Sequence, residues 1–169
     1  SPTALSGFRS KDEMVAAFEE TIDRNEQGLA ALGSFFEASP QVDRESFRRF
    51  VLPLLRGLGT TRALGWAPRV PAGEREAFER AQRAGGLPSF TIFNIGAEGR
   101  PVPAAPAAEY FPALFIEPFT PGRAVGFDET SESRRLGALL RARDSGETAL
   151  SPLLESVRDD RYTRKRAMA

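Results

Sequence analysis

The side chains in this chain able to move a proton near neutral pH are carboxylates, because its 169 residues include neither histidine nor cysteine. That absence removes Ser-His triads, Cys-His pairs, thiolate or imidazole metal sites and disulfides. Glu117 and Asp128 stand out among the acids, each at the end of an aromatic run: Phe115-Ile116-Glu117-Pro118 and Val125-Gly126-Phe127-Asp128. Brought together, two such carboxylates would serve a hydrolase as general acid and base. No spacing forces them together, and a carboxylate before Pro118 can equally tie down a turn. Gly85-Gly86 and the glycines at 96 and 99 match neither a phosphate loop nor a dinucleotide fingerprint and are read as turn glycines. Ser145 has no histidine or lysine beside it to activate a nucleophile. Catalysis is the third-ranked reading, and no metal and no cofactor is expected.

Binding asks less of a sequence than catalysis: an apolar concavity and a few polar groups to orient the guest. Trp66, Phe90, Ile92, Asn94, Phe115, Glu117 and Phe127 lie on the segments that would line such a cavity, with Tyr110 and Thr148 at its rim. Alternation puts Phe90, Ile92 and Asn94 on one face of a strand and Thr91, Phe93 and Ile95 on the other. The first set is taken as the ligand face; core packing of the same residues is the competing reading.

The elements that would position these residues follow from periodicity and caps. A helix is predicted from Ser10 to Glu37, with Ser10 as N-cap and Glu13 completing a capping box. Its stripe of Met14, Phe18, Ile22, Asn25, Leu29, Leu32 and Phe36 packs either on its own domain or in a dimer seam with Asn25 setting the register. Ala38-Ser39-Pro40 ends it, and Asp43 caps a second helix in which Pro53 should introduce a kink or a break. A strand is predicted over 60–66, a third helix from Gly73 to Ala84 stopped by Gly85-Gly86, and a strand over 90–95. A loop follows from Gly96 to Pro106, then strands over 114–119 and 124–128. A helix from Ser131 to Arg143, capped by Ser131 and stopped by Gly146, precedes an extended piece at 148–151. The order suits an α+β domain: a long N-terminal helix followed by an antiparallel sheet flanked by helices.

Four blocks stand in a fixed order: Gly65-Trp66-Ala67-Pro68-Arg69-Val70-Pro71 leading into Gly73-Glu74-Arg75-Glu76-Ala77-Phe78; Phe111-Pro112-Ala113-Leu114-Phe115-Ile116-Glu117-Pro118; Val125-Gly126-Phe127-Asp128; and Arg134 leading to Ala142-Arg143-Asp144-Ser145-Gly146. In this order and wording the chain resembles the CHASE domain, the extracytoplasmic sensor associated with cyclases and histidine kinases, over residues 29–151. The resemblance implies a long stalk helix leading into a PAS-like sheet whose concave face holds a small molecule, with Arg134 and Asp144 as pattern positions of structural role. Asp144 is expected to bond the amides of the turn at Ser145-Gly146. The resemblance also implies a periplasmic domain of an inner-membrane receptor, its membrane spans outside both ends, whose output is a histidine kinase, a nucleotide cyclase or a diguanylate cyclase or phosphodiesterase. The chain departs from the pattern at its end, where 155–169 is polar and carries Arg158, Arg161, Arg164, Lys165 and Arg166 in place of further apolar strands.

Composition sets the partners. With 23 basic residues against 23 acidic ones, the chain lacks the electrostatic footprint of a nucleic-acid binder or an anionic-membrane binder. No stretch approaches the ~20 apolar residues of a membrane span, and the start carries no signal peptide, so the chain as given is expected to be soluble. Three regions are expected: a helical stalk over 1–58, a sensor core over 59–152 and a polar basic tail over 153–169. The leading reading is a non-enzymatic domain that senses a small molecule, with a homodimer formed through the first helix. The alternative is a dimerisation module of the receptor without a ligand of its own.

Overall fold

The Ser10 hydroxyl accepts the Glu13 amide at 3.1 Å and so starts α1, which runs Lys11–Ala38. This is seen in a computed structural model that describes residues 10–59, 61–119 and 124–152. Two units are distinguished, Ser1–Leu64 and Gly65–Ala169. In the first, Asp43 caps α2 (Arg44–Leu58) by accepting the Ser46 amide at 2.7 Å. The helix continues through Pro53 undivided and ends at Gly59 with φ of +66°.

α2 folds back against the C-terminal half of α1. Phe35 stacks on Phe50 with centroids 4.4 Å apart, Phe36 meets Phe47 at 6.1 Å, and Gly28 faces Leu58. The order of those pairs makes the helices antiparallel. A Cβ on residue 28 would lie 2.9 Å from Leu58 Cδ2, so glycine there permits the close approach. The stripe predicted along α1 therefore divides. Leu32 is buried and Ile22, Asn25 and Phe36 are half-buried, whereas Met14, Phe18 and Leu29 are exposed, Phe18 at 66%. Thr61 donates its hydroxyl to Asn25 Oδ1, which engages Asn25 within its own unit.

The mixed architecture expected is present, helices beside small antiparallel sheets, but among the described residues the strands form three two-stranded pairs. β1 (Leu64–Trp66) pairs with β6 (Phe115–Glu117). β2 (Val70–Pro71) runs antiparallel to β5 (Glu109–Tyr110), with Val70 opposite Tyr110. β3 (Phe93–Ile95) runs antiparallel to β4 (Pro101–Pro103), with Asn94 opposite Val102. β4 thus falls inside the stretch read as a loop, and β2 and β5 were not foreseen. Three of their residues are prolines, which offer no amide hydrogen to a ladder and so mask the strand signal.

Backbone hydrogen bonds from 111–114 and 124–128 stitch these pairs together. The Phe93 amide donates to Gly126 O (3.0 Å) and the Asp128 amide to Phe93 O (2.9 Å). The Ala113 amide donates to Phe127 O, the Gly126 amide to Ala113 O, and the Leu114 amide to Trp66 O. The run 124–128, expected as a regular strand, is instead a tight turn making isolated bridges from Phe127 to Phe93 and from Asp128 to Pro112. Gly126 takes φ of +96° at its centre, and a Cβ there would sit 2.3 Å from Thr91 O. Phe93, Ala124 and Phe127 form the buried cluster around this junction, with Ile95 against it.

α3 (Arg75–Ala84) follows a 3-10 turn at Ala72–Glu74 and stops at Gly85; its Phe78 meets Phe90 edge-on at 5.8 Å. α4 (Ser133–Ser145) is capped by Glu132, whose carboxylate accepts the Arg135 amide at 3.1 Å. Ser131, the expected cap, belongs to the preceding 3-10 turn Glu129–Ser131, which Asp128 caps. α4 stops at Gly146, whose φ of +72° ends it as expected. The strand predicted over 60–66 begins at Leu64 and the one over 90–95 at Phe93, while 148–151 forms no strand. The basic tail from 153 onward lies outside the described residues.

Candidate ligand-binding cavity

One face of α4 lies across β1 and β6 and leaves space between them. Arg135, Ala138, Leu139 and Ala142 recur at three, four and seven residues, so they share one side of the helix. With Gly65 and Trp66 of β1, Ile116 of β6 and the adjoining Ala67 and Ala113, they line an open cavity of about 370 Å³. The room comes from missing side-chain volume: alanines at 67, 113, 138 and 142 and a glycine at 65 cannot reach across it. Gly65 also lets the strands close up, since a Cβ there would stand 3.1 Å from Phe115 O.

Ala149 and Ser151 complete the wall. They belong to a strap after α4 that Arg141 anchors by donating Nη2 to Leu150 O at 2.7 Å. Ser145 secures the turn into the strap, donating to Arg141 O and accepting the Glu147 amide at 3.1 Å. Asp144, expected to hold that turn, instead accepts Arg143 Nε at 2.8 Å.

The polar end of the cavity is an ion pair. Arg135 Nη1 donates to Glu129 Oε2 at 2.8 Å, with side chains 22% and 24% exposed, and the guanidinium lies 5.6 Å over the Phe127 ring. Burial pushes the Glu129 carboxyl above the ordinary carboxylate range, as does neighbouring Asp128, while Arg135 pulls it back.

Of the residues singled out from the sequence, Trp66 lines this cavity. Phe127 lies beneath the Arg135 guanidinium. Phe90, Ile92 and Phe115 are buried, Ile92 completely. Asn94 is half-buried, and with its side-chain amide turned over it donates Nδ2 to Phe93 O and accepts the Ala105 amide, each at 3.3 Å. Glu117 is buried and accepts the Phe119 amide at 2.9 Å, tying down the turn at a cis Pro118. Asp128 is buried and accepts the Phe111 amide (3.0 Å) and the Thr130 hydroxyl (2.8 Å), so each of the two carboxylates serves its own turn. Tyr110 is buried, and its hydroxyl accepts the Ala107 amide; Thr148 is exposed.

A second polar cluster escaped sequence reasoning. Arg75 donates to Glu79 Oε1 (3.1 Å), Ala104 O (2.9 Å) and Ile92 O (3.1 Å) while lying over the Tyr110 ring, and Glu79 accepts the Ile92 amide at 2.9 Å. Arg83 adds a bond to Phe90 O. The spacing Arg75, Glu79, Arg83 was a visible signal, but it is also the pattern of an exposed helix face. Here it fastens α3 to the backbone leading into β3.

Among the described residues no acidic cluster suited to a metal ion occurs, and no helix is long and apolar enough to cross a membrane. No curated protein matches the chain. The family model of the CHASE domain matches residues 40–168, from just ahead of α2 through the whole cavity. On that match the chain belongs to the CHASE domain family, sensory extracellular domains of signalling receptors.

Proposed function

We propose that this domain senses a small molecule, which binds in the cavity between α4 and the β1–β6 pair, as the extracytoplasmic part of a membrane-anchored receptor. The observation that carries the reading is the cavity itself: about 370 Å³, walled by alanine and glycine beside one indole, with a single ion pair at one end. Such a site is mostly apolar with few orienting polar groups. A guest there touches the strap at Ala149 and Ser151, so it would bias the receptor by favouring one strap position over another.

Trp66 is the chain's sole tryptophan, which makes it a probe of occupancy. N-phenyl-1-naphthylamine, a neutral apolar fluorophore, is expected to receive energy from Trp66 saturably. Ala142→Phe fills the cavity and is expected to weaken that binding by at least about tenfold. Wild-type protein that gives no saturable transfer, or a variant that binds the fluorophore equally well, would count against the reading.

The second reading, dimerisation as the main role, rests on Met14, Val15 and Phe18, which lie exposed on the part of α1 beyond its contacts with α2. A chain that dimerises while Trp66 receives no guest would favour it.

A further inference from the structure

Resting on that reading, we infer that the molecule bound is neutral and presents a hydrogen-bond acceptor beside a donor, as a carboxamide or lactam does, on a small apolar body. The argument is electrostatic. Among the described residues that line the cavity, the charged ones are Glu129 and Arg135, paired with each other at 2.8 Å. Each is already engaged by an opposite charge, so a charged guest must compete with the pair. An anionic guest would have to displace Glu129 from Arg135 and a cationic guest would have to displace Arg135 from Glu129; either leaves a poorly solvated charge behind. A neutral guest avoids that cost.

The pair nevertheless makes a directional polar edge, with guanidinium N–H groups beside carboxylate oxygens. The complementary edge places a carbonyl oxygen against Arg135 and an N–H against Glu129. Phe127 beneath the guanidinium and the Arg135 amide bonded to Glu132 hold that edge in place. The rest of the wall, Trp66, Ile116, Ala138, Leu139 and Ala142 among it, offers contact with an apolar body and little else.

Three probes of nearly equal shape separate the possibilities: benzamide, benzoate and benzylammonium, each titrated against the protein and read by Trp66 emission at pH 8. Benzamide is expected to bind the wild type at least about tenfold more tightly than either ion. Glu129→Gln removes the carboxylate that faces Arg135 and should shift preference to benzoate; Arg135→Gln should shift it to benzylammonium. The wild-type ranking stands whether or not a variant folds, and circular dichroism checks that each does. Equal binding of all three probes, a wild-type preference for benzoate or benzylammonium, or an unchanged order in folded Glu129→Gln would overturn the inference. If N-phenyl-1-naphthylamine still receives energy from Trp66 in that case, the cavity reading survives and the ligand class fails. If it does not, both fail.

Discussion

Gly126→Ala is expected to destabilise the second unit by about 3 kcal/mol or more, the largest loss from adding a single methyl group. Its φ of +96° disfavours any side chain, and the new Cβ would lie 2.3 Å from Thr91 O. That oxygen cannot simply move aside. The adjoining Phe93 amide is bonded to Gly126 O, and Phe93 O accepts the Asp128 amide, so relief at Thr91 opens the seam joining β3 to the turn. Gly146→Ala separates the two causes: its φ is +72° with nothing within 4 Å, and it should cost only about 1 kcal/mol. Urea unfolding followed by Trp66 emission measures both. Equal midpoints for the two variants would show that the Thr91 contact does not govern the junction.

Glu79→Ala is expected to cost about 2–4 kcal/mol. The carboxylate, with its side chain 13% exposed, accepts the Ile92 amide and Arg75 Nε together, and Arg83 lies 3.5 Å from its other oxygen. Removing it leaves a backbone donor and the Arg75 guanidinium without their acceptor beside Ala104 O and Ile92 O. The pH dependence has a definite sign. Burial alone would raise the Glu79 carboxyl, but the Ile92 amide and Arg75 outweigh it and hold the carboxyl below its ordinary value of 4.5. A carboxyl lowered in the folded state adds stability that is present above pH 4.5 and fades as pH falls through the folded value. The wild type should therefore lose more stability on acidification than Glu79→Ala. A variant whose stability falls as steeply as the wild type's below pH 4.5 would show that this cluster carries no such linkage.

Helix boundaries were legible where a cap is local chemistry. Ser10 and Asp43 bond amides three residues on, and Gly85 and Gly146 end helices where the spacing placed them. The strands were harder, because pairs two or three residues long, two of them containing proline, give period-two patterning little to act on. The turn at Gly126 looked like a strand since Val125, Phe127 and Ala124 are all buried, and burial, not extension, was the signal being read.

The cavity was hardest of all. Phe90, Ile92 and Phe115 were chosen as apolar residues on strands, yet such residues become buried whether or not a ligand exists. A cavity is defined by absent volume, and the sequence records that only as alanines at 67, 113, 138 and 142, each unremarkable until the topology sets α4 across β1 and β6. Glu129 and Arg135 were hidden for a similar reason: they sit in a charged run whose other arginines, Arg134, Arg141 and Arg143, are exposed. Trp66 was singled out because a lone tryptophan at a strand end is distinctive in itself, and it lines the cavity.

The most direct measurement is a ¹⁵N amide chemical-shift titration with N-phenyl-1-naphthylamine. Occupation of the cavity predicts shifts concentrated at Gly65, Ile116, Leu139, Ala142 and Ser151 and at the single indole N–H of Trp66. Shifts gathered instead at Phe90, Ile92 and Asn94, or along α1 at Met14 and Phe18, with the Trp66 indole unmoved, would contradict it.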